Sequence, residues 1–476
     1  MTGPDVNRAL SFFSTGLLLF HRSILRIFLV MQFPSLLGHV EELLGIVRNS
    51  RLPADSLIDT FFRSRKYLGS HDRRFIAETL YGTLRHLTKC EILAAKALGE
   101  LWKELSSQDH RLWIIAAYLM AVEHQDIPAS AFETKTQSSD VRARASEILT
   151  TLSQPVSDLP ADPILKIAAE YSFPEWMVSR FANEFGIAET EQLCGVLNTP
   201  ASLSLRVNTL KTNVEECQKA LKEEGIETVR TLLSPTGLQV PRRCNLFQVE
   251  SFRKGFFEVQ DEGSQLLPLF LDPKPTAKVL DACAGAGGKT LQLAALMHNR
   301  GEIYAADINA FRLNELRKRS RRAGAFNIRP LATEDLLENA HNFEGFFDIV
   351  FIDAPCTGLG TIRRNPGMKW SVSEQSVAEL ALKQGEILMI HAPFVKPGGM
   401  MFYATCSVLR QENEEVVGRF LDQHKEFTLC DGLDHARKTE LEKFIQNGYF
   451  RLWPHRDDTD GFFCAVLTRR HTATVS

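Results

Sequence analysis

The sequence predicts a doubly wound α/β domain preceded by an all-helical region and a small α/β unit. Three observations lead there. From Ala277 onward, short apolar strands alternate with amphipathic helices. A glycine-rich turn joins the first of those strands to its helix. Before residue 150, apolar residues recur at three- and four-residue intervals with few strand-like runs between them.

At 476 residues the chain exceeds one ordinary core, and its size suggests roughly three domains. A composition 44% hydrophobic and 24% charged supplies a core for each. The formal charge of -3 excludes the strongly basic signature of a nonspecific nucleic-acid coat but leaves room for local basic surfaces. Two are present. Arg63, Arg65, Lys66, Arg73, Arg74, Arg85 and Lys89 face two acids over residues 61–90, and Arg312, Arg317, Lys318, Arg319, Arg321, Arg322 and Arg329 face Glu315 over 310–330. The nine cysteines are scattered and never spaced as Cys-x-x-Cys, which argues against a disulfide scaffold or a metal cluster and fits a reducing cytoplasm.

The elements follow in order. Residues 1–30 hold "ALSFFSTGLLLF" and "ILRIFLVM", both shorter than the roughly 20 residues needed to cross a bilayer, and no export signal is recognisable. This extension fits an upstream start codon and an amphipathic segment equally well. Residues 31–150 read as a helical domain, through "LLGHVEELLGIV", "PADSLIDTFF", "RRFIAETLYGTLRHLTKCEILAAKAL" and "RLWIIAAYLMAVE". Ser138 to Pro160 reads as a linker around one short helix. Residues 160–270 form the small α/β unit, with a strand at "SLSLRVNTL", an amphipathic helix at "NVEECQKALKEEG" and a strand and turn at "IETVRTLLS". Residues 271–472 form the doubly wound domain: strands at "KVLDAC", "GEIYAADI", "NIRPLA", "FDIVFIDAP" and "MMFYATCS", with helices between them. Ligands belong at the carboxyl ends of such strands.

The turn "DACAGAGGKT" ends like a triphosphate-binding loop, yet Cys283 occupies the position of that loop's first glycine. Gly285, Gly287 and Gly288 instead follow a strand and open a helix, which lets a ligand approach backbone amides. Asp307, at the end of the next strand, suits both ribose hydroxyls of an adenosine. Lys289 could meet the carboxylate of S-adenosylmethionine or a dinucleotide pyrophosphate.

Asp353 ends one later strand, with Cys356 just beyond Pro355, and Cys406 ends another. In a parallel sheet both thiols converge beside the cofactor. No histidine stands beside either, so Cys-His hydrolysis is poorly supported. One chemistry fits two thiols: a thiolate adds to C6 of a pyrimidine, C5 becomes nucleophilic and attacks a sulfonium methyl, and the second thiol assists proton removal or release. Asp353 would supply a hydrogen bond or proton at N3. The residues alone do not assign the two roles between the cysteines.

These stretches together resemble the Nol1/Nop2/Sun family of RNA 5-methylcytosine methyltransferases, in particular its bacterial ribosomal small-subunit branch. The family's Cys-Ala-Ala-Pro-Gly-Gly-Lys-Thr aligns with Cys283, Ala284, Gly285, Ala286, Gly287, Gly288, Lys289 and Thr290, departing at Gly285 and Ala286. Loss of the proline implies a looser turn. The resemblance implies a Rossmann-like fold that uses S-adenosylmethionine, with Asp307, Arg312, Asp335 and Asp353 joining the turn in cofactor binding. Asp353-Ala354-Pro355-Cys356 matches the motif in which the aspartate recognises the base and the cysteine releases product. Thr405-Cys406 matches the motif of the attacking thiolate. "RKYLGSHDRRFIAETLYGTLRHL" resembles a NusB-like RNA-binding domain, and "LRVNT", "FEVQDEGSQL", "RRNPGMKW" and "WPHRDDTDGFF" match further family stretches.

The implied substrate is a cytosine of 16S ribosomal RNA, unpaired or flipped outward so that both C5 and C6 are reachable. Arg363, Arg364 and Lys369 are candidate phosphate contacts, with Trp370 either stacking or packing. A cytoplasmic monomer that engages RNA and no membrane is expected. The rivals are a methyltransferase for another substrate and an inactive RNA-binding or ribosome-assembly factor.

Overall fold

The computed structural model describes residues 33–50, 52–154, 160–242, 244–436 and 440–471. The extension expected at 1–30 lies outside the described residues. Two compact units form. One takes the described residues up to Ser179 together with Asn365–Ser371, and the other takes Arg180–Arg364 and Val372 onward.

The first unit is helical. Its main helices span 33–48, Ala54–Ser64, Ser70–Arg85, Leu87–Leu98, Ser107–Ala117, Ala145–Leu152 and Pro163–Tyr171. Their apolar stripes close over a core that includes Leu37, Leu80, Trp113 and Phe132. Caps set the boundaries: Ser106 accepts from the Asp109 N–H, and Asp162 accepts from the N–H groups of Ile164 and Leu165 with Pro163 at the first helical position. The stretch expected to be a linker from Ser138 is instead two short helices, Ser139–Ala143 and Ala145–Leu152, up to the residues left undescribed. Ile148, Leu149 and Leu152 enter the core, so apolar spacing outweighed the polar composition.

The segment Asn365–Ser371 corrects one expectation and decides between the two readings of Trp370. Lys369 is not a phosphate contact: it is fully buried and donates to the carbonyl oxygens of Arg85 at 2.7 Å and Tyr171 at 3.2 Å. These are the last residues of two helices, where unpaired carbonyls and the dipole's negative end attract a cation. Trp370 is a packing residue, its Nε1 donating to the Leu84 carbonyl and its ring packing on the helical core.

The second unit holds two sheets. The smaller has strands β1 (Leu203–Val207), β2 (Val229–Arg230), β3 (Gly237–Val240) and β4 (Phe257–Val259) in the antiparallel order β2-β3-β1-β4. Alternation along β1 sends Leu205 and Val207 into a core with Val214, Cys217 and Leu221 of helix Val214–Glu223. Arg206 faces the other way, as does its register partner Glu258.

The larger sheet has strands β5 (Lys278–Asp281), β6 (Glu302–Asp307), β7 (Ile328–Ala332), β8 (Phe347–Asp353), β9 (Val395–Thr405), β10 (Phe427–Leu429), β11 (Ile445–Gln446), β12 (Tyr449–Leu452) and β13 (Phe462–Arg469). The order is β11-β12-β13-β9-β8-β5-β6-β7, with β10 also pairing β13. β5 through β9 are mutually parallel, whereas β13 lies antiparallel to β9 and extends the sheet beyond the doubly wound pattern. The chain winds outward from β5 through β6 to β7, then crosses to β8 and β9. The carboxyl ends of β5 and β8 therefore flank the switch point where α/β sheets take their ligands.

One glycine of the turn after β5 is sterically obligatory. Gly287 has φ +86°, and a Cβ there would meet Leu316 Cδ1 at 2.0 Å. Gly287→Ala is therefore expected to destabilise the domain built on the larger sheet by about 2 to 4 kcal/mol, combining left-handed strain with overpacking. A urea titration of wild type and variant measures it, and an unchanged midpoint contradicts it.

Candidate active site

The turn Ala282–Gly287 leaves β5 and enters helix Gly288–Leu296. The family's proline is absent here, and the turn is nonetheless pinned at four points. Ala284 N–H donates to the Ala306 carbonyl, Gly287 N–H to the Ala284 carbonyl, Gly285 N–H to Asp307 Oδ2 at 2.9 Å, and Arg319 Nη1 to the Ala286 carbonyl at 2.8 Å. Arg319 is itself held by the buried Glu258, which also binds Arg322. Arg319 of the basic stretch thus braces the glycine turn, and Arg322 shares its carboxylate; the expected loosening has a counterweight that no local motif announces. Cys283 is held as a neutral thiol by burial and then by the carboxylates of Asp281, Asp353 and Asp307, which suits backbone geometry rather than reactivity.

Asp281, at the end of β5, is buried and accepts from Thr290 Oγ1 at 2.7 Å. Its Oδ1 has no partner among the described residues. Burial pushes its carboxyl up to about 7, against the Thr290 hydrogen bond and with the Asp353 charge adding to the rise. A carboxyl raised in the fold stabilises it at low pH and loses that contribution as pH climbs from the ordinary carboxylate range through about 7. Asp281→Asn should therefore gain melting temperature relative to wild type from pH 5 to pH 8. A difference independent of pH contradicts the assignment.

Asp307 ends β6, buried, with Oδ1 accepting from the Asn309 N–H at 2.7 Å. Arg312 and Asp335 are exposed on the helices that follow β6 and β7, at the same edge of the sheet. Gly285 and Gly288 have open space where a Cβ would stand.

At the switch point Lys289 Nζ meets Asp353 Oδ2 at 2.6 Å. Burial alone would lower the ammonium; Asp353 outweighs it, Cys406 adds to the effect, and the group lies above its ordinary value. Lys289 is thus paired with Asp353 at the carboxyl end of β8. Asp353 and Ala404 are register partners on β8 and β9, so the loops beyond them run side by side. Cys356 Sγ and Cys406 Sγ come to 3.4 Å of each other. The hydrogen bond between Cys356 and Cys406, then burial, then the charges of Cys406 and Glu412 raise Cys356 well above its ordinary value. A negative charge on the neighbouring sulfur at this distance opposes ionisation of the Cys356 thiol.

Sequence reasoning missed the polar layer beneath the sulfurs. Glu412 and Asn413 are fully buried and bonded to the residues flanking both cysteines. The run "QENEEV" was not singled out, and its sole signal was its closeness in sequence to Cys406. Arg363 and Arg364, expected on phosphates, are instead in ion pairs: Arg363 with Asp458 at 2.8 Å, Arg364 with Asp261 and Asp460 at 2.5 Å each. They fasten the loop after Cys356 to the chain before and after it.

Residues 268–468 match the family model described as 16S rRNA methyltransferase RsmB/F, and residues 173–246 match that of a ferredoxin-like domain of RsmF/B-like methyltransferases. A probable ribosomal RNA small subunit methyltransferase B of Synechocystis sp. is 31% identical over 415 residues, 84% of this chain and 92% of that protein. The chain belongs to the ribosomal RNA small subunit methyltransferase B/F family. A probable methyltransferase B of Bacillus subtilis is 28% identical over 446 residues, 90% of this chain and 98% of that protein. Among solved structures, PH0851 superposes with a TM-score of 0.71 at 28% identity, covering 90% of this chain and 98% of its own. A methyltransferase homolog from Pyrococcus horikoshii has a TM-score of 0.54 at 28% identity over 65% of this chain and all of its own. This B/F methyltransferase therefore combines a helical region, a ferredoxin-like domain and a Rossmann-like catalytic sheet. Among the described residues no helix is long and apolar enough to cross a membrane.

Proposed function

We propose that this methyltransferase modifies C5 of a cytosine in 16S ribosomal RNA in the cytoplasm, through a covalent bond between Cys406 and C6 of the base. The observation that carries the reading is the pair of sulfurs 3.4 Å apart beside the Lys289–Asp353 ion pair. The 16S target rests on the matching family description.

S-adenosylmethionine is the methyl donor, and when bound it supplies an electrophilic methyl group to C5. The chain fits it: the open faces at Gly285 and Gly288, the N-terminus of helix Gly288–Leu296, the carboxylate of Asp307 and the unpartnered Oδ1 of Asp281 line one edge of the sheet. Arg312 and Asp335 would complete that site from the following helices.

The chain's own steps balance. The Cys406 thiolate forms the S–C6 bond, and the displaced electron pair moves toward N3, where Asp353 places a hydrogen bond or proton. Lys289, paired with Asp353 and interacting with Cys406, steadies negative charge at both. Once Cys406 has become a thioether its charge is gone, and with it the largest influence keeping Cys356 protonated. Cys356 can then lose its proton to solvent and take the proton from C5. The electrons left behind expel Cys406 as a thiolate, any proton given to N3 returns to Asp353, and the ring is restored.

Incubating the protein with labelled S-adenosylmethionine and unmodified small-subunit ribosomal RNA, then mapping the label, tests the reading. 5-Methylcytosine is expected. Label on a purine, or on another atom of cytosine, overturns it.

A further inference from the structure

We propose that Glu412 and Asn413 are positioning residues which bracket both reactive thiols and hold them at one working separation. The inference rests on the two-thiol reading above, and it concerns residues that touch neither substrate nor cofactor.

The geometry is reciprocal. Glu412 Oε1 accepts from the Thr357 backbone N–H at 2.8 Å and from Gln384 Nε2 at 3.0 Å. Its Oε2 accepts from Thr357 Oγ1 and Ser407 Oγ, both at 2.5 Å. The same Gln384 amide donates to the Pro355 carbonyl at 2.9 Å. Asn413 Oδ1 accepts from Thr405 Oγ1 at 2.5 Å, and its Nδ2 donates to the Ser407 carbonyl at 2.9 Å. Pro355 and Thr357 flank Cys356, and Thr405 and Ser407 flank Cys406. Each cysteine is thus gripped on both sides by one buried network. Tyr403, on β9, anchors the network to the sheet through the Glu412 carbonyl at 2.5 Å and Gln384 Oε1 at 3.1 Å.

A carboxylate has about four lone-pair directions, and four donors occupy those of Glu412. It has no capacity left for a substrate atom, which makes it a holder of backbone rather than a participant in proton transfer. An ionised carboxylate buried this fully is tolerated where its hydrogen bonds are complete, and removing it leaves four donors facing a void.

The test uses the full-length protein and two readouts. In the first, diamide oxidises Cys356 and Cys406 to a disulfide while being reduced to its hydrazine, and alkylation with mass spectrometry follows the rate without any RNA. In Glu412→Ala this cross-linking should slow by about 10-fold or more while affinity for S-adenosylmethionine stays within about 2-fold, because the turn after β5 is not part of the network. In the second, kcat for methyl transfer should fall by about 100-fold with little change in KM for the methyl donor, the scale of a misplacement near 1 Å. Glu412→Gln keeps Oε1 but turns a donor toward the two hydroxyls, so its cross-linking rate should lie between the two. If Glu412→Ala does not fold, Glu412→Gln and the near-isosteric Thr357→Val carry the same comparison. Cross-linking and kcat at wild-type values in these variants overturn the proposal, as does a loss of donor binding that parallels the loss of kcat. Failure of wild type to methylate cytosine would sink the functional reading alone, since the disulfide rate is measured without substrate.

Discussion

Cys406→Ala is expected to lower methyl transfer to RNA on the order of 10,000-fold or more, because it removes the group that makes the covalent bond. The cofactor turn should be untouched: Lys289 keeps Asp353 at 2.6 Å, and the bonds that pin Ala284 to Gly287 involve no atom of Cys406. Donor binding measured by calorimetry should therefore match wild type while turnover disappears. Cys406→Ser should be nearly as inactive, since a hydroxyl ionises far less readily than a thiol and is the poorer nucleophile toward C6. The strength of the prediction lies in what it separates. A methyltransferase that attacks an exocyclic nitrogen or a ribose oxygen has no use for this sulfur and would retain most of its rate. Near-normal activity in the alanine variant would eliminate covalent pyrimidine chemistry, whatever the identity of the methylated RNA.

The parts of this site that were readable in the sequence are those whose chemistry is local. The glycine turn follows its strand directly, Asp307 ends the next one, and the two cysteines each stand just past a strand terminus. Parallel winding then carries them to one edge, as the register of Asp353 with Ala404 shows. The parts that were not readable depend on partners far along the chain. Arg319 looks like one more cation on a basic helix until Glu258, 61 residues earlier, is placed beside it. Arg363 and Arg364 looked available for phosphate until Asp458, Asp460 and Asp261 were found against them. Glu412 drew no notice in the sequence, and its burial follows from the approach of the loops beyond β8 and β9. Charge patterning reports what a surface would carry if its residues were on the surface. It is silent on whether the fold has already spent those charges on its own backbone. A terminal strand is what the stretch "WPHRDDTDGFF" leads to by its resemblance, but the antiparallel direction of β13 was not legible: its apolar run is continuous, and periodicity does not distinguish direction.

Cys356→Ala should have the opposite signature to Cys406→Ala: the covalent bond forms and persists. Removing the second sulfur leaves the Cys406 thiol in place, so attack on C6 is not impeded. What is lost is the group that takes the proton from C5, and without that step the electrons needed to expel Cys406 are unavailable. The variant should accumulate a protein–RNA complex that survives denaturant and heat, at up to one RNA per protein, while multiple turnover falls by about 100-fold or more. Gel mobility in the presence of denaturant, with and without donor, measures it, and the double variant lacking both sulfurs should show no complex. Mapping the linked peptide to Cys406 would place the bond on the atom inferred from the geometry. A Cys356→Ala protein that turns over freely and forms no complex would remove Cys356 from the reaction and leave its 3.4 Å contact with Cys406 as packing alone.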